Sequence, residues 1–325
     1  MSKVRLTLAC GDYDITRPLV DGAVAPQGVD LVTMTYASPQ RHWRMLKHAE
    51  FDIAELSLGS YVALRSRGDQ DLIAIPTFPH RRFRHGYAFL SAAAGVREAT
   101  DLNGLDVGVR SWQTTAGVWL RGILAEHHGL DLHSVRWVAQ DGEDIELQLP
   151  TGLRLEPVPE GGNVVDLCAE GKIAGLIYPE LPGPVLAGET TIRRLFSDPR
   201  QAEQDYFRQT GIFPIMHVVA IRAEVAERYP WLPRNLMDAF EAAKADAFKR
   251  LQDPRTVSLA WLRALQEEER ELLGPDPWQY GLDDRNTTVL RTFLRYALEQ
   301  GVAARELTPA ELFHPATVER PPAYV

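Results

Sequence analysis

The residues best equipped for chemistry lie in three short stretches. FPHRRFRHGYAF, residues 78–89, packs His80, Arg81, Arg82, Arg84 and His85 into six positions before a predicted strand. In an extended segment Arg82 and Arg84 point one way and Arg81, Phe83 and His85 the other, so one face can aim positive charge inward. Arginine suits carboxylate capture because its planar fork bonds both oxygens and does not lose its charge. Solvated loop charge is the competing reading of any basic run, but here the run is interleaved with aromatics in an acidic protein. RSWQTTAGVWLRGIL, residues 110–124, leaves a strand and enters a helix at Thr114 and Thr115. Free N–H groups and the helix dipole make such a start an anion site. An ordinary threonine cap explains the same residues equally well. Trp112 offers a face for stacking on an aromatic ligand, whereas Trp119 reads as core. TGIFPIMHVVAIR, residues 210–222, sets His217 in an apolar strand. A histidine there is either structural or a proton carrier that titrates near neutrality.

The chemistry these types support is proton transfer beside a bound anion. His85 and His217 are the acid/base candidates, with Glu55 as either a general base or a partner for an arginine. Arg81, Arg84 and the Thr114–Thr115 helix start are the anchors. Asp12, Ser57, Trp112 and Tyr178 complete the candidate binding set.

Positioning these groups requires two series of alternating elements. Strands are predicted over 5–10, 29–35, 52–56, 72–76 and 87–91, with a helix at 39–48 and a break at Ser57-Leu58-Gly59-Ser60. This β-helix-β alternation signals an open α/β sheet with parallel strands. A second series places strands at 105–109, 135–139 and 174–178 and helices at 115–127 and 164–170. The strongly β-forming run at 212–222 carries the chain back. Beyond residue 232 the pattern is helical, broken at Pro254 and Gly274-Pro275. The expected plan is one lobe of residues 1–90 plus 215–325, another of 91–214, and a ligand site in the cleft between them. In such sheets ligands lie beyond the carboxyl ends of the strands.

At 325 residues the chain exceeds the usual size of one core. Its net charge of −9 argues against a general nucleic-acid binder, yet leaves room for a local arginine cluster in a cleft. Two distant cysteines, Cys10 and Cys168, suit a reducing compartment. The N-terminal MSKVRLTLAC enters a strand at once and carries no leader or long apolar span, so a cytoplasmic protein with no membrane partner is expected. Walker, dinucleotide, HExxH and nucleophile-elbow motifs are absent. His127, His128 and His133 lack metal-type spacing, so no metal ligand is assigned.

With these segments in view, the chain resembles the 4,5-dihydroxyphthalate decarboxylase family. The matching stretches are IPTFPHRRFRHGYAF (75–89), LNGLDVGVRSWQTTAGVWLRGIL (102–124), GLIYP (175–179), YFRQTGIFPIMHVVAIR (206–222) and DPWQYGLDDRNTTVLRTFLRYALEQG (276–301). They run in order over nearly the whole length. A departure falls at Ser111-Trp112-Gln113, where tyrosine and methionine are expected before the double threonine. The resemblance implies an α/β, two-lobed type 2 periplasmic-binding-protein-like fold, each lobe an open mixed sheet flanked by helices, with a helical C-terminal region. It implies a carboxy-lyase that removes a carboxylate from a hydroxylated aromatic diacid without a redox cofactor, a divalent metal being left open. The expected partner is a small anionic aromatic substrate, with a homo-oligomer as an option. Competing readings are a solute-binding or sensor protein without chemistry, and a different cytoplasmic enzyme on the same fold.

Overall fold

In the computed structural model, residues 3–318 are described, and they form two mixed β-sheets flanked by helices. The first sheet contains β1 (Val4–Cys10), β2 (Val29–Thr35), β3 (Ile53–Ser57) and β4 (Leu72–Ile75). The second contains β5 (Ala88–Ser91), β6 (Asp106–Val109), β7 (Arg136–Ala139), β8 (Arg154–Pro157), β9 (Gly175–Ile177) and β10 (Ile192–Arg194). The last strand, β11 (His217–Arg222), returns to the first sheet, whose order is β2-β1-β3-β11-β4. The second sheet runs β10-β5-β9-β6-β7-β8.

The sheets are not purely parallel, because the crossing strands enter reversed. β1 pairs in parallel with β2 and β3, while β11 lies antiparallel between β3 and β4. In the second sheet β6, β7, β8 and β9 are parallel, and β5 runs against β9. The β11 register sets His217 opposite Ser57 and Val219 opposite Glu55. A segment remote in sequence thereby meets the end of β3.

Every residue of β3, IAELS, is buried, as expected of a strand paired on both edges and covered on both faces. The chain does not simply break after β3. Ser57 accepts the Ser60 N–H and starts a helix at once, Leu58–Ser66. That helix has seven of its nine residues buried, so it lacks the polar stripe by which a surface helix is read from sequence. Among the other elements that went unpredicted are β8 and β10, short edge strands with exposed arginines, and the helix Pro199–Thr210, opened by an Asp198 cap.

The helical C-terminus braces more than one lobe. The helix Asp284–Glu299 lies against Thr115–His128, close enough that a Cβ on Gly122 would sit 2.2 Å from the Tyr296 ring. At its end the Gln300 carbonyl accepts the Trp112 indole N–H at 2.8 Å, and its side chain accepts from Arg121 Nε at 2.8 Å. Among the described residues no helix is long and apolar enough to cross a membrane.

Candidate active site

The carboxyl end of β3 and the start of β11 bring an acid and an imidazole together in the first sheet. Glu55 has no exposed surface. Its carboxylate lies 2.8 Å from Arg41 Nη2, accepts the Gly11 N–H at 2.6 Å and the Tyr13 hydroxyl at 2.9 Å, and is in hydrogen-bond contact with His217 Nδ1. Burial alone would raise this carboxyl. Arg41, His217 and the Gly11 N–H outweigh it and hold Glu55 well below the usual carboxylate range. For His217, burial lowers the pKa and Glu55 only partly opposes it. The imidazole is therefore neutral at physiological pH. With Glu55 ionised, Nδ1 is the nitrogen that carries the proton, which leaves Nε2 as a base.

Arg41 is itself locked. It comes from the helix Ser38–His48, is wholly buried, and also donates to the Tyr36 carbonyl at 2.6 Å and the Glu55 carbonyl at 3.3 Å. Two more imidazoles pack on His217: His80, 4.6 Å between ring centroids, and His42, 4.9 Å and edge-on. Burial and the neighbouring His217 push His80 down to about 2.

His217 lines a cavity of about 310 Å³ between the two sheets, together with His42, Ser57, Arg84, Arg110, Thr114 and Thr115. That volume suits a small ring compound. Arg84 is 5% exposed. Its guanidinium contacts Met216 Sδ at 3.0 and 3.1 Å and the Pro179 carbonyl at 3.1 Å, and it forms no ion pair with any described carboxylate. Burial lowers its pKa to about 10, so it remains a cation. Thr114 occupies the helix N-cap position without capping by its side chain, since its hydroxyl donates instead to the Ser111 carbonyl at 3.1 Å. The helix start thus faces the cavity with first-turn N–H groups that no cap consumes. Thr115 serves the join between the lobes instead. Its hydroxyl bonds Ser57 Oγ and accepts the Gly59 N–H, both at 2.8 Å, which pins the two lobes together behind the cavity.

Gly59 makes this join possible. A Cβ there would lie 2.2 Å from the Gln113 carbonyl oxygen. Gly59→Ala is expected to push the Gln113–Thr115 segment out of place and to destabilise the protein by about 1–3 kcal/mol. Urea unfolding and substrate affinity should both worsen; unchanged values would mean that the join is not needed.

The structure places several sequence candidates elsewhere. Arg81 is buried and points away from the cavity, donating to the carbonyls of Phe213 and Gln279 and to Asn286 Oδ1, so it ties the interlobe segment to the C-terminal helix. The simple alternation assumed for 81–85 fails because the strand does not start until Ala88 and a 3₁₀ turn covers His85–Tyr87. His85 is buried against Phe196, Tyr206 and His128, outside the cavity, and burial lowers it to about 4. Asp12 pairs with Arg17 at the surface. Trp112 is fully buried under the Arg121 guanidinium and is core, as is Trp119. Tyr178 is half-buried next to Arg110 and does not line the cavity. The basic run is nonetheless not an outer-surface feature, since Arg81, Arg84 and His85 are all buried.

Residues that sequence reasoning missed are Arg41 and His42. They lie in a predicted helix with no motif to mark them. The one available signal was indirect, since an acid in an apolar strand such as Glu55 calls for a buried cation somewhere in the chain. A larger hollow, about 560 Å³, lies behind Tyr13 and His80. Neither Glu55 nor His217 opens onto it, and its Arg81 is already committed to three acceptors.

The 4,5-dihydroxyphthalate decarboxylase of Comamonas testosteroni is 39% identical over 327 residues, spanning 98% of this chain and 99% of that protein. The chain belongs to the 4,5-dihydroxyphthalate decarboxylase family. A second 4,5-dihydroxyphthalate decarboxylase, from Pseudomonas putida, is 37% identical over 214 residues, spanning 64% of this chain and 83% of that protein. No protein-family model matches the sequence. Among solved structures, the periplasmic aliphatic sulphonate binding protein SsuA of Escherichia coli aligns over 96% of this chain and 98% of its own, with a TM-score of 0.57 at 11% identity. That likeness shows a shared periplasmic-binding-protein-like fold and nothing of the ligand. Within that fold this decarboxylase-family member carries a carboxylate–histidine pair at the cleft.

Proposed function

We propose that this protein is a carboxy-lyase that converts 4,5-dihydroxyphthalate to protocatechuate and carbon dioxide without a redox step. The observation that carries the reading is the pairing, in one small cavity, of Arg84, a buried cation with no carboxylate partner among the described residues, and the Glu55–His217 pair. A receptor needs the cation; only an enzyme needs the base. The two curated relatives carry the name of this activity.

In the substrate each carboxylate stands para to a hydroxyl. Removing that phenolic proton pushes electrons to the carbon that must be protonated, and loss of carbon dioxide then restores aromaticity. His217 Nε2 takes the phenolic proton. Glu55 stabilises the resulting imidazolium without being protonated itself, and Arg41 keeps Glu55 ionised. Arg84 and the helix start at Thr114 hold the anionic end of the ring.

Incubation with 4,5-dihydroxyphthalate, followed by carbon dioxide release and the ultraviolet change of the ring, tests the proposal. Binding without product would favour a receptor and defeat it. Arg84→Gln is expected to raise KM by roughly 10- to 150-fold, the value of charge-assisted hydrogen bonds, with a smaller loss in kcat. A fall in kcat alone would remove Arg84 as the anchor.

A further inference from the structure

His42 has no evident structural role. It is 7% exposed and lines the cavity, and its Nε2 is buried without a hydrogen-bond partner among the described residues. Leaving a polar group in that state costs about 1–3 kcal/mol, which an apolar side chain of similar size would avoid. Its ring stands edge-on to His217 with centroids 4.9 Å apart, and Arg41, one residue earlier, anchors Glu55. His80 is as near to His217, but it borders the hollow behind and not this cavity.

The reaction needs two proton transfers at opposite edges of the ring, one at the hydroxyl and one at the carbon para to it. A single imidazole cannot face both. We propose that His42 is the second proton-transfer group of this cavity and hands a proton to the ring carbon that loses its carboxylate, while His217 holds the phenolic proton. This rests on the decarboxylase reading of the site. The phenolic O–H breaks and a bond forms to His217 Nε2, and the freed pair moves into the ring. The para carbon takes a proton from the imidazolium of His42, so an N–H breaks and a C–H forms. The C–CO₂ bond then breaks, its electron pair restores the aromatic ring, His217 returns its proton to the phenolate oxygen, and solvent reprotonates His42. Burial, then His217 and Arg41, hold His42 neutral. The carboxylates of the bound substrate supply the counter-charge that favours its protonated form.

The carbon step can be isolated from carbon dioxide release. In D₂O the parent enzyme should exchange one ring hydrogen of protocatechuate, the one ortho to the carboxylate and para to a hydroxyl, as read by proton NMR. His42→Gln should lose this exchange and kcat together by about 10²-fold or more, while still binding substrate and still showing the absorbance of an ionised catechol. His217→Gln should lose that absorbance. Exchange by His42→Gln at the parental rate would overturn the proposal, as would loss of the ionised-catechol absorbance in that variant, which would make His42 only a support for His217. Should His42→Gln fold poorly by circular dichroism, His42→Ala with added imidazole replaces it. Restored exchange supports the proposal, and its absence in a folded, substrate-binding protein overturns it. A parent enzyme that neither decarboxylates 4,5-dihydroxyphthalate nor exchanges the product would instead defeat the decarboxylase reading.

Discussion

With glutamine in place of His217, kcat on 4,5-dihydroxyphthalate is expected to fall by about 10²–10⁴-fold, the usual contribution of a positioned acid or base. KM should change little, because the anionic end of the ring is held by Arg84 and the helix start. Glutamine carries an amide donor of similar size, and circular dichroism of the variant separates lost chemistry from lost folding. His85→Gln is the informative contrast. That imidazole lies outside the cavity among Phe196, Tyr206 and His128, so turnover should stay near the parental level even if stability drops. Steady-state carbon dioxide release on both variants decides the matter, and the opposite ranking would exchange the two histidines' roles.

The second large effect concerns stability. Arg41→Met leaves Glu55 as a wholly buried carboxylate without its guanidinium, and a broken buried pair of this kind costs about 3–5 kcal/mol. The pH dependence follows from the direction of the shift. In the parent, Glu55 has a folded-state pKa below its unfolded value. The stability it contributes is therefore complete above the unfolded value, about 4.3, and is lost as pH falls toward the folded one. In Arg41→Met the guanidinium charge is gone, and with only His217, Tyr13 and the Gly11 N–H left to oppose burial the same carboxyl shifts upward. The deficit of the variant relative to the parent should then be largest at neutral pH and shrink in mild acid, where the carboxyl is neutralised. Urea unfolding curves across that range measure it. A deficit that does not vary with pH would mean that Arg41 acts by packing and not by charge.

Much of the architecture was legible because its strands are short apolar runs between clear turns. The span predicted at 29–35 is β2 to the residue, and the helix predicted at 115–127 ends one residue later. Legibility failed where an element had no polar face, as in Leu58–Ser66, or lay at an edge with charged residues, as in β8 and β10. At the site, Glu55, Ser57, Arg84, Thr114, Thr115 and His217 do converge. The chemistry of a strand end is visible in one dimension: a lone acid or imidazole among apolar neighbours stands out. Arg41 and His42 do not stand out, because an arginine and a histidine in SPQRHWRMLKH look like the wet side of a surface helix. Only the packing of that helix on β3 turns them inward. Arg81 illustrates the converse error: charge density marked it, yet its acceptors are carbonyls and an amide from segments 132 to 205 positions away.

The position of β11 also orders events during synthesis. It pairs on both sides with strands made long before it, β3 and β4, whereas β5 to β10 form their sheet from an uninterrupted stretch. On the ribosome the later sheet can close first, while the earlier one waits with two unpaired edges, a state prone to wrong pairing. His217 is the first residue of that inserted strand. A nascent chain therefore has no proton acceptor until its first sheet is sealed, and the helix that braces the cavity from behind, Asp284–Glu299, is made later still.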